Sequence, residues 1–214
     1  VYKRSDIMAD LMLGKTVIAV AGTAGKTTTT AMIAHILIET GKDPSYIIGG
    51  VLTTTGQNAG VGAGDAFVVE ADEYDNMFLG LRPNIAVVTN VEWDHPDFFE
   101  TPADMRRSFE SFVSLLPAGG TLICGTDDPG GRALWSYGVM RPALSVLPYT
   151  TRIETAAAVS DKHTETWTWE YHPDMFGDDW TAQLQVPGLH NVRNAMGAIL
   201  AATVTFVALF APFL

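Results

Sequence analysis

A chain of 214 residues, 47% hydrophobic and 17% charged, can bury a substantial core, and this excludes a disordered protein. Thirteen Lys and Arg against 24 Asp and Glu give a net charge of −11. That balance excludes a broad nucleic-acid surface, which needs a dense basic field, but leaves room for a small anion held by backbone amides. Cys124 is the single cysteine, so no internal disulfide forms and a reducing compartment is expected.

The N-terminal residues Val1-Tyr-Lys-Arg-Ser-Asp6 carry no apolar signal core behind their charges. Thr16-Val-Ile-Ala-Val-Ala21 is a continuous apolar run, the pattern of a strand buried on both faces. Lys26 to Thr40 reads as a helix with Ile33, Ile36 and Leu37 on one face, stopped by Gly41. Gly49 to Gly64 holds six glycines and reads as a loop built for close backbone approach. Phe67-Val-Val69 and Ile85-Ala-Val-Val-Thr89 follow as buried strands. Pro102 to Leu116 is a helix striped by Met105, Phe109, Phe112, Val113 and Leu116. Thr121-Leu-Ile-Cys124 and Ala143-Leu-Ser-Val-Leu147 are further strands. The alternation predicts an α/β fold, a mainly parallel sheet flanked by helices of the phosphate-loop NTPase kind.

After Thr150 the pattern changes. Thr166-Trp-Thr-Trp-Glu-Tyr171 alternates, with Trp167, Trp169 and Tyr171 on one face, and Thr181 to Val186 alternates too. Residues 150–187 therefore read as a small antiparallel β insertion. Leu189 opens a last helix, and Ala195 to Leu214 carries no charge. That run is long enough to span a bilayer, roughly 20 residues, but Gly197 and Pro212 interrupt it and no basic cluster follows. A helix packed on a neighbouring domain, with an atypical end, is expected instead of a membrane span.

Three stretches carry chemistry. Gly22-Thr23-Ala24-Gly25-Lys26-Thr27-Thr28 sits between a strand and a helix, where glycines turn N–H groups toward phosphate and the helix dipole adds to them. Lys26 would reach the β- and γ-phosphates, and the Thr27 hydroxyl would sit on Mg2+. Val20 stands where the longer phosphate-loop pattern has Gly, so only the short form G-x-x-G-K-T is present, and a glycine-rich turn with an incidental lysine is the plain alternative. Glu70-Ala-Asp-Glu73-Tyr-Asp75 and Asn90-Val-Glu-Trp-Asp-His95-Pro-Asp97 follow two strands. Ligands gather beyond such carboxyl ends, and these carboxylates can hold Mg2+. A solvated acidic turn and a structural histidine are the alternatives. His190, Asn191 and Asn194 fall within one turn of the last helix, able to meet an adenine edge or simply to start a helix with polar groups.

Together these stretches, with Gly188-Leu-His-Asn-Val-Arg-Asn-Ala195, resemble the Mur ligase family, the cytoplasmic enzymes that build the peptide stem of peptidoglycan. The four motifs run in the family's order from about Gly14 to Leu200. The Glu-Ala-Asp-Glu-x-Asp form, with Gly49-Gly50 and Asn58-Ala59 ahead of it, is most similar to members joining L-alanine to UDP-N-acetylmuramate. Ligases that recycle murein tripeptide share much of it. The resemblance implies that ATP phosphorylates a carboxylate and an amine attacks the acyl phosphate. It implies that Lys26 stabilises the transferring phosphate, that Thr27 and Glu73 ligate a first Mg2+, and that His95 helps hold a second. Asn191 and Asn194, with Asn90 and His190, would approach the nucleotide. It further implies a linker at residues 1–14, a central ATP-binding domain at 15–200 and an apolar tail at 201–214, with UDP-binding and amino-acid-recognising domains lying outside the chain. Some relatives support a metal with a carbamylated lysine, but no lysine occurs between Lys42 and Lys162. Folylpolyglutamate synthase-like ligases, a non-catalytic ATP-binding module and a membrane-tethered NTPase are the rival expectations.

Overall fold

The computed structural model describes residues 8, 10–151, 159–161, 166–171, 180–184 and 186–210. Its centre is strand β1 (Thr16–Ala21), hydrogen-bonded in parallel to β4 (Ala66–Glu70) on one side and β5 (Ile85–Val88) on the other. The continuous apolar sequence of β1 is explained by burial on both sides. Val17, Ala19 and Ala21 enter one core, while Ile18 and Val20 enter the other. With β2 (Ser45–Leu52), β3 (Gln57–Gly60), β6 (Thr121–Gly125) and β7 (Ser145–Tyr149), the sheet runs β3-β2-β4-β1-β5-β6-β7, and only β3 is antiparallel. The expected mainly parallel sheet is thus the observed one.

Helix α1 (Lys26–Glu39) and helix α4 (Leu189–Phe210) cover one face through Ile33, Leu37, Val192 and Met196. Helices α2 (Pro102–Val113) and α3 (Pro129–Val139) cover the other, together with a 3-10 turn at Tyr74–Gly80. Helix α2 starts in a reciprocal cap: the Asp104 amide donates to Thr101 Oγ1, and the Thr101 amide donates to the Asp104 carboxylate. The Thr101 hydroxyl also donates to that carboxylate and holds it below the usual range. Its predicted apolar stripe is buried, with Phe112 stacked on Phe78 at 4.7 Å between ring centres and Phe109 meeting Phe78 edge-on. Cys124 lies buried in the same core, and desolvation pushes its thiol up to about 12.

Several local expectations change. The glycine-rich stretch from Gly49 to Gly64 is largely the β2–β3 hairpin, not a loop. Its glycines answer to the protein itself: a Cβ on Gly62 would fall 2.0 Å from the Asp43 carbonyl, and one on Gly60 would fall 2.6 Å from the Tyr46 ring. Strand β7 lies two residues later than Ala143–Leu147, because its register is set by parallel pairing of Thr121 with Ser145 through Gly125 with Tyr149. Helix α3 was hidden by Gly130 and Gly131, which resemble a turn. Asp128 caps it by accepting from the Gly131 amide at 2.7 Å, and the glycines let its first turn touch the Val91 and Gly125 carbonyls.

The antiparallel insertion is present as β8 (Val159–Asp161), β9 (Thr166–Tyr171) and β10 (Trp180–Leu184), ordered β10-β9-β8. Residues 152–158, 162–165, 172–179 and 185, and the packing of Trp167, Trp169 and Tyr171, lie outside the described features. Helix α4 continues unbroken past Leu200, burying Ala201, Ala202 and Thr205 on the α1 side. The first half of the apolar 201–214 run is therefore core-facing helix, and residues 211–214 lie outside the described residues. No helix among the described residues is long and apolar enough to cross a membrane.

Because Phe112 is fully buried in the core and stacked on Phe78, Phe112→Ala is expected to lower unfolding stability by about 3–5 kcal/mol, read from urea denaturation. A loss below about 1 kcal/mol would mean that this core relaxes around the cavity.

Candidate functional site

The β4-β1-β5 neighbourhood brings three strand tips together, and Lys26, Glu73 and His95 each lie in the segment that follows one of them. From β1 the chain enters Gly22–Thr28. Gly22 adopts φ 138° and passes so close to β5 that a Cβ there would fall 2.0 Å from Thr89 Oγ1. The tip of β5 then holds the loop open. The Thr89 hydroxyl donates to the Ala24 carbonyl at 2.6 Å, the Ala24 amide donates to Asn90 Oδ1 at 2.9 Å, and the Thr23 amide donates to the Asn90 carbonyl at 3.2 Å. Thr23 Oγ1 donates to the Glu92 carbonyl and accepts from the Glu92 amide.

Gly25, at φ 85°, starts α1 without a side-chain cap, and no acidic residue lies in the first turn. The first helical hydrogen bond runs from the Thr29 amide to the Gly25 carbonyl at 2.9 Å. The N–H groups of Lys26, Thr27 and Thr28 therefore lie ahead of the helical ladder, at the positive end of the helix dipole. Uncapped amide donors in a first turn without an acidic side chain of its own suit an anion.

Lys26, Glu73 and His95 meet. Lys26 Nζ lies 2.9 Å from Glu73 Oε1 and donates to the Gly22 carbonyl at 2.8 Å. His95 Nε2 is 3.8 Å from the same Oε1 and 3.9 Å from Asp94 Oδ2. Glu73 is fully buried with that lysine as its cationic partner, and its second oxygen has no hydrogen-bond partner among the described residues. Tyr74 braces the histidine: its hydroxyl donates to Asp97 at 3.0 Å, and its ring meets the imidazole edge-on at 5.1 Å. That bond, with the Asp97 charge, raises the phenol above its ordinary value.

The structure also singles out a carboxylate that sequence reasoning grouped with the acidic turn but did not choose. Glu70, the last residue of β4, accepts from the Thr27 hydroxyl at 2.9 Å through Oε1 and from the Gly49 amide at 2.7 Å through Oε2. Thr27 thus faces Glu70, whereas Glu73 faces Lys26. The available signal was position: Glu70 pairs with Val20 in the sheet, at the strand end beside the loop. Among the described residues no three His, Cys, Asp or Glu side chains cluster as a ready-made metal cage. A cation here would combine the Thr27 hydroxyl and a carboxylate with oxygens of a ligand.

Beyond the loop lies a cavity of about 380 Å³ that Ala24, Gly25, Asn90, His190 and Asn194 line together. A Cβ on Gly25 would fall 2.4 Å from Asn194 Oδ1, so α4 approaches the loop closely enough to require glycine. Asn191 is not among the lining residues. Its Nδ2 donates to the Pro187 carbonyl at 2.7 Å, which closes the start of α4. Arg193, Asp127 and Glu92 also line the cavity; Glu92 belongs to an acidic stretch offered for Mg2+, while Arg193 and Asp127 were not singled out from the sequence.

Fold and strand-tip chemistry define a phosphate-loop α/β domain. Residues 20–202 match the family model described as the Mur ligase middle domain, and the chain belongs to the Mur ligase family. It is 44% identical over 203 residues to the UDP-N-acetylmuramate–L-alanine ligase of Renibacterium salmoninarum, covering 94% of this chain and 43% of that protein. The ligase of the same name from Paenarthrobacter aurescens is 43% identical over 202 residues, with the same coverage. Among solved structures, UDP-N-acetylmuramate:L-alanyl-gamma-D-glutamyl-meso-diaminopimelate ligase from Neisseria meningitides superposes with a TM-score of 0.77 at 27% identity, covering 93% of this chain and 63% of that one. The chain spans less than half the length of the curated relatives it matches.

Gly22→Ala and Gly56→Ala separate close approach from backbone strain. Both glycines have positive φ, but a Cβ on Gly56 meets nothing within 4 Å. Gly56→Ala is expected to cost about 1 kcal/mol of strain. Gly22→Ala should cost clearly more, because Thr89 and the Asn90 backbone must shift as well. Equal losses in chemical denaturation would show that the loop does not depend on its contact with β5.

Proposed function

We propose that this chain is the ATP-binding middle domain of a ligase that joins L-alanine to UDP-N-acetylmuramate through an acyl phosphate, in the cytoplasm. The observation that carries this reading is the convergence of Lys26 and His95 on one buried oxygen of Glu73, next to the uncapped amides of Lys26, Thr27 and Thr28. The identity of 44% to a ligase of that name supports these substrates. The murein tripeptide ligase is the second reading, because a structure of that kind superposes on 93% of the chain, but at only 27% identity.

The residues present suit a triphosphate and a divalent cation. The amides of the loop and the dipole of α1 would cradle the β-phosphate, and Lys26 would neutralise charge developing on the transferring phosphoryl group. Thr27 and Glu70, already within 2.9 Å of each other, would hold Mg2+ on the phosphates. Glu73, with a buried oxygen that has no hydrogen-bond partner among the described residues, and His95 would hold a second ion toward the acceptor carboxylate. Bound Mg2+ would supply charge neutralisation between phosphate oxygens. The chain's own contribution is positioning: β1, β4 and β5 fix the three charged groups before the ligand arrives. Asn90, His190 and Asn194 would flank the nucleoside, and Asn191 would support them through the helix start.

Calorimetric titration of Mg2+–ATP tests the assignment. Lys26→Ala is expected to abolish measurable binding, because it removes the phosphate contact and leaves Glu73 as a buried, unpaired charge. Equal affinity of both proteins would remove the nucleotide site from this loop. Thr27→Val and Glu70→Gln are expected to raise the Mg2+ concentration needed for half-maximal ATP binding by about tenfold, the scale of one charge-assisted ligand. An unchanged requirement would place the cation elsewhere.

A further inference from the structure

Asp127 gathers three segments on one carboxylate. It lies in the turn between β6 and α3. From the end of β7 it accepts the Thr150 hydroxyl at 2.7 Å, the Thr151 hydroxyl at 3.1 Å and the Thr151 amide at 3.2 Å. From the first turn of α4 it takes Arg193 Nε at 2.9 Å. Thr151 Oγ1 also accepts from Arg193 Nε at 3.0 Å, so the inner nitrogen of the guanidinium is gripped by two neighbours. The side chain of Asp127 is only 10% exposed, whereas that of Arg193 is 41% exposed.

The geometry leaves the outer part of the guanidinium available. Its two terminal nitrogens have no hydrogen-bond partner among the described residues, and Arg193 lines the 380 Å³ cavity with Gly25, Asn90, His190 and Asn194. Arginine is a donor only, so those N–H groups can meet only acceptor atoms. Holding Nε by a carboxylate and a hydroxyl fixes the plane of the fork, and little rotamer entropy remains to be lost when a ligand arrives. A helix start needing only to be tied to the sheet would be served equally by a buried, fully paired arginine.

We infer that Asp127 orients Arg193 so that its terminal N–H groups hold acceptor atoms at the nucleoside end of the ligand, beyond the phosphate loop. Arg193 is thus a binding residue and Asp127 a positioning residue acting through it. The inference rests on the nucleotide reading given above, and it extends that site from the phosphates to the base and ribose.

Two probes separate the two ends of the site. Mg2+–ATP and Mg2+–tripolyphosphate, which has no nucleoside, are titrated calorimetrically into the chain, Arg193→Gln and Asp127→Asn. The expected result is ATP affinity weakened about tenfold in both variants, with tripolyphosphate affinity changed less than about twofold. Equal weakening of both probes overturns the inference, because it assigns the pair to the fold alone. Unchanged ATP affinity in variants of a chain that binds ATP overturns it while leaving the phosphate site standing. If the chain binds neither probe, the nucleotide reading and this inference fall together. Arg193 is partly exposed, so Arg193→Gln gives the decisive measurement should Asp127→Asn fail to fold.

Discussion

A carboxylate withdrawn from water has to be compensated, and Glu73 is the point at which this molecule meets that demand. Its partner, Lys26, comes from the loop after β1, while Glu73 itself follows β4. The pair can form only because β4 and β1 lie side by side in register, with Val20 opposite Glu70. His95 joins from the third tip because β5 lies on the other side of β1, with Ala21 opposite Val88. Sheet order, not sequence proximity, assembles the site. The two cores enforce that order, since a one-residue slip of β1 would exchange Val17 and Ala19 with Ile18 and Val20 between faces.

The loop is prepared in advance by the protein's own groups. Asn90 occupies the Ala24 amide with its side chain and the Thr23 amide with its carbonyl, and Thr89 ties the Ala24 carbonyl from the same strand tip. These bonds shape the entrance of the loop, while the amides of its last turn point past them. The division lowers the ordering cost of ligand capture, because the positive-φ backbone at Gly22 and Gly25 is already set. Folding has met that cost through the neighbours of the loop at the β5 tip.

How much of this could be read from residues alone depends on the range of the determining interaction. Strand β1 was legible to the residue because a strand buried on both sides leaves an unbroken apolar run. Helix α1 was legible because Gly25 and Gly41 bracket it, the latter with its positive φ beyond the cap. Hairpin β2–β3 was not, since Gly49, Gly50 and Gly60 weaken strand propensity and are needed only because Glu70, Thr27 and Tyr46 press against them from afar. Helix α3 was obscured for a similar reason, its glycines serving contacts with Val91 and Gly125. In the site, Lys26, Glu73 and His95 belong to recognisable strings, and they converge. Glu70 against Thr27, Asn191 turned to Pro187, and the Asp127–Arg193 pair depend on side-chain directions that spacing does not encode.

The buried thiol of Cys124 has a practical consequence. Alkylating reagents attack thiolates, and a group that is sealed in the core and titrates only at about 12 presents almost none at neutral pH. An engineered surface cysteine near the cavity could therefore carry a fluorophore without first removing the native one. In the unmodified chain, the onset of alkylation would act as a clock for opening of the β6 layer.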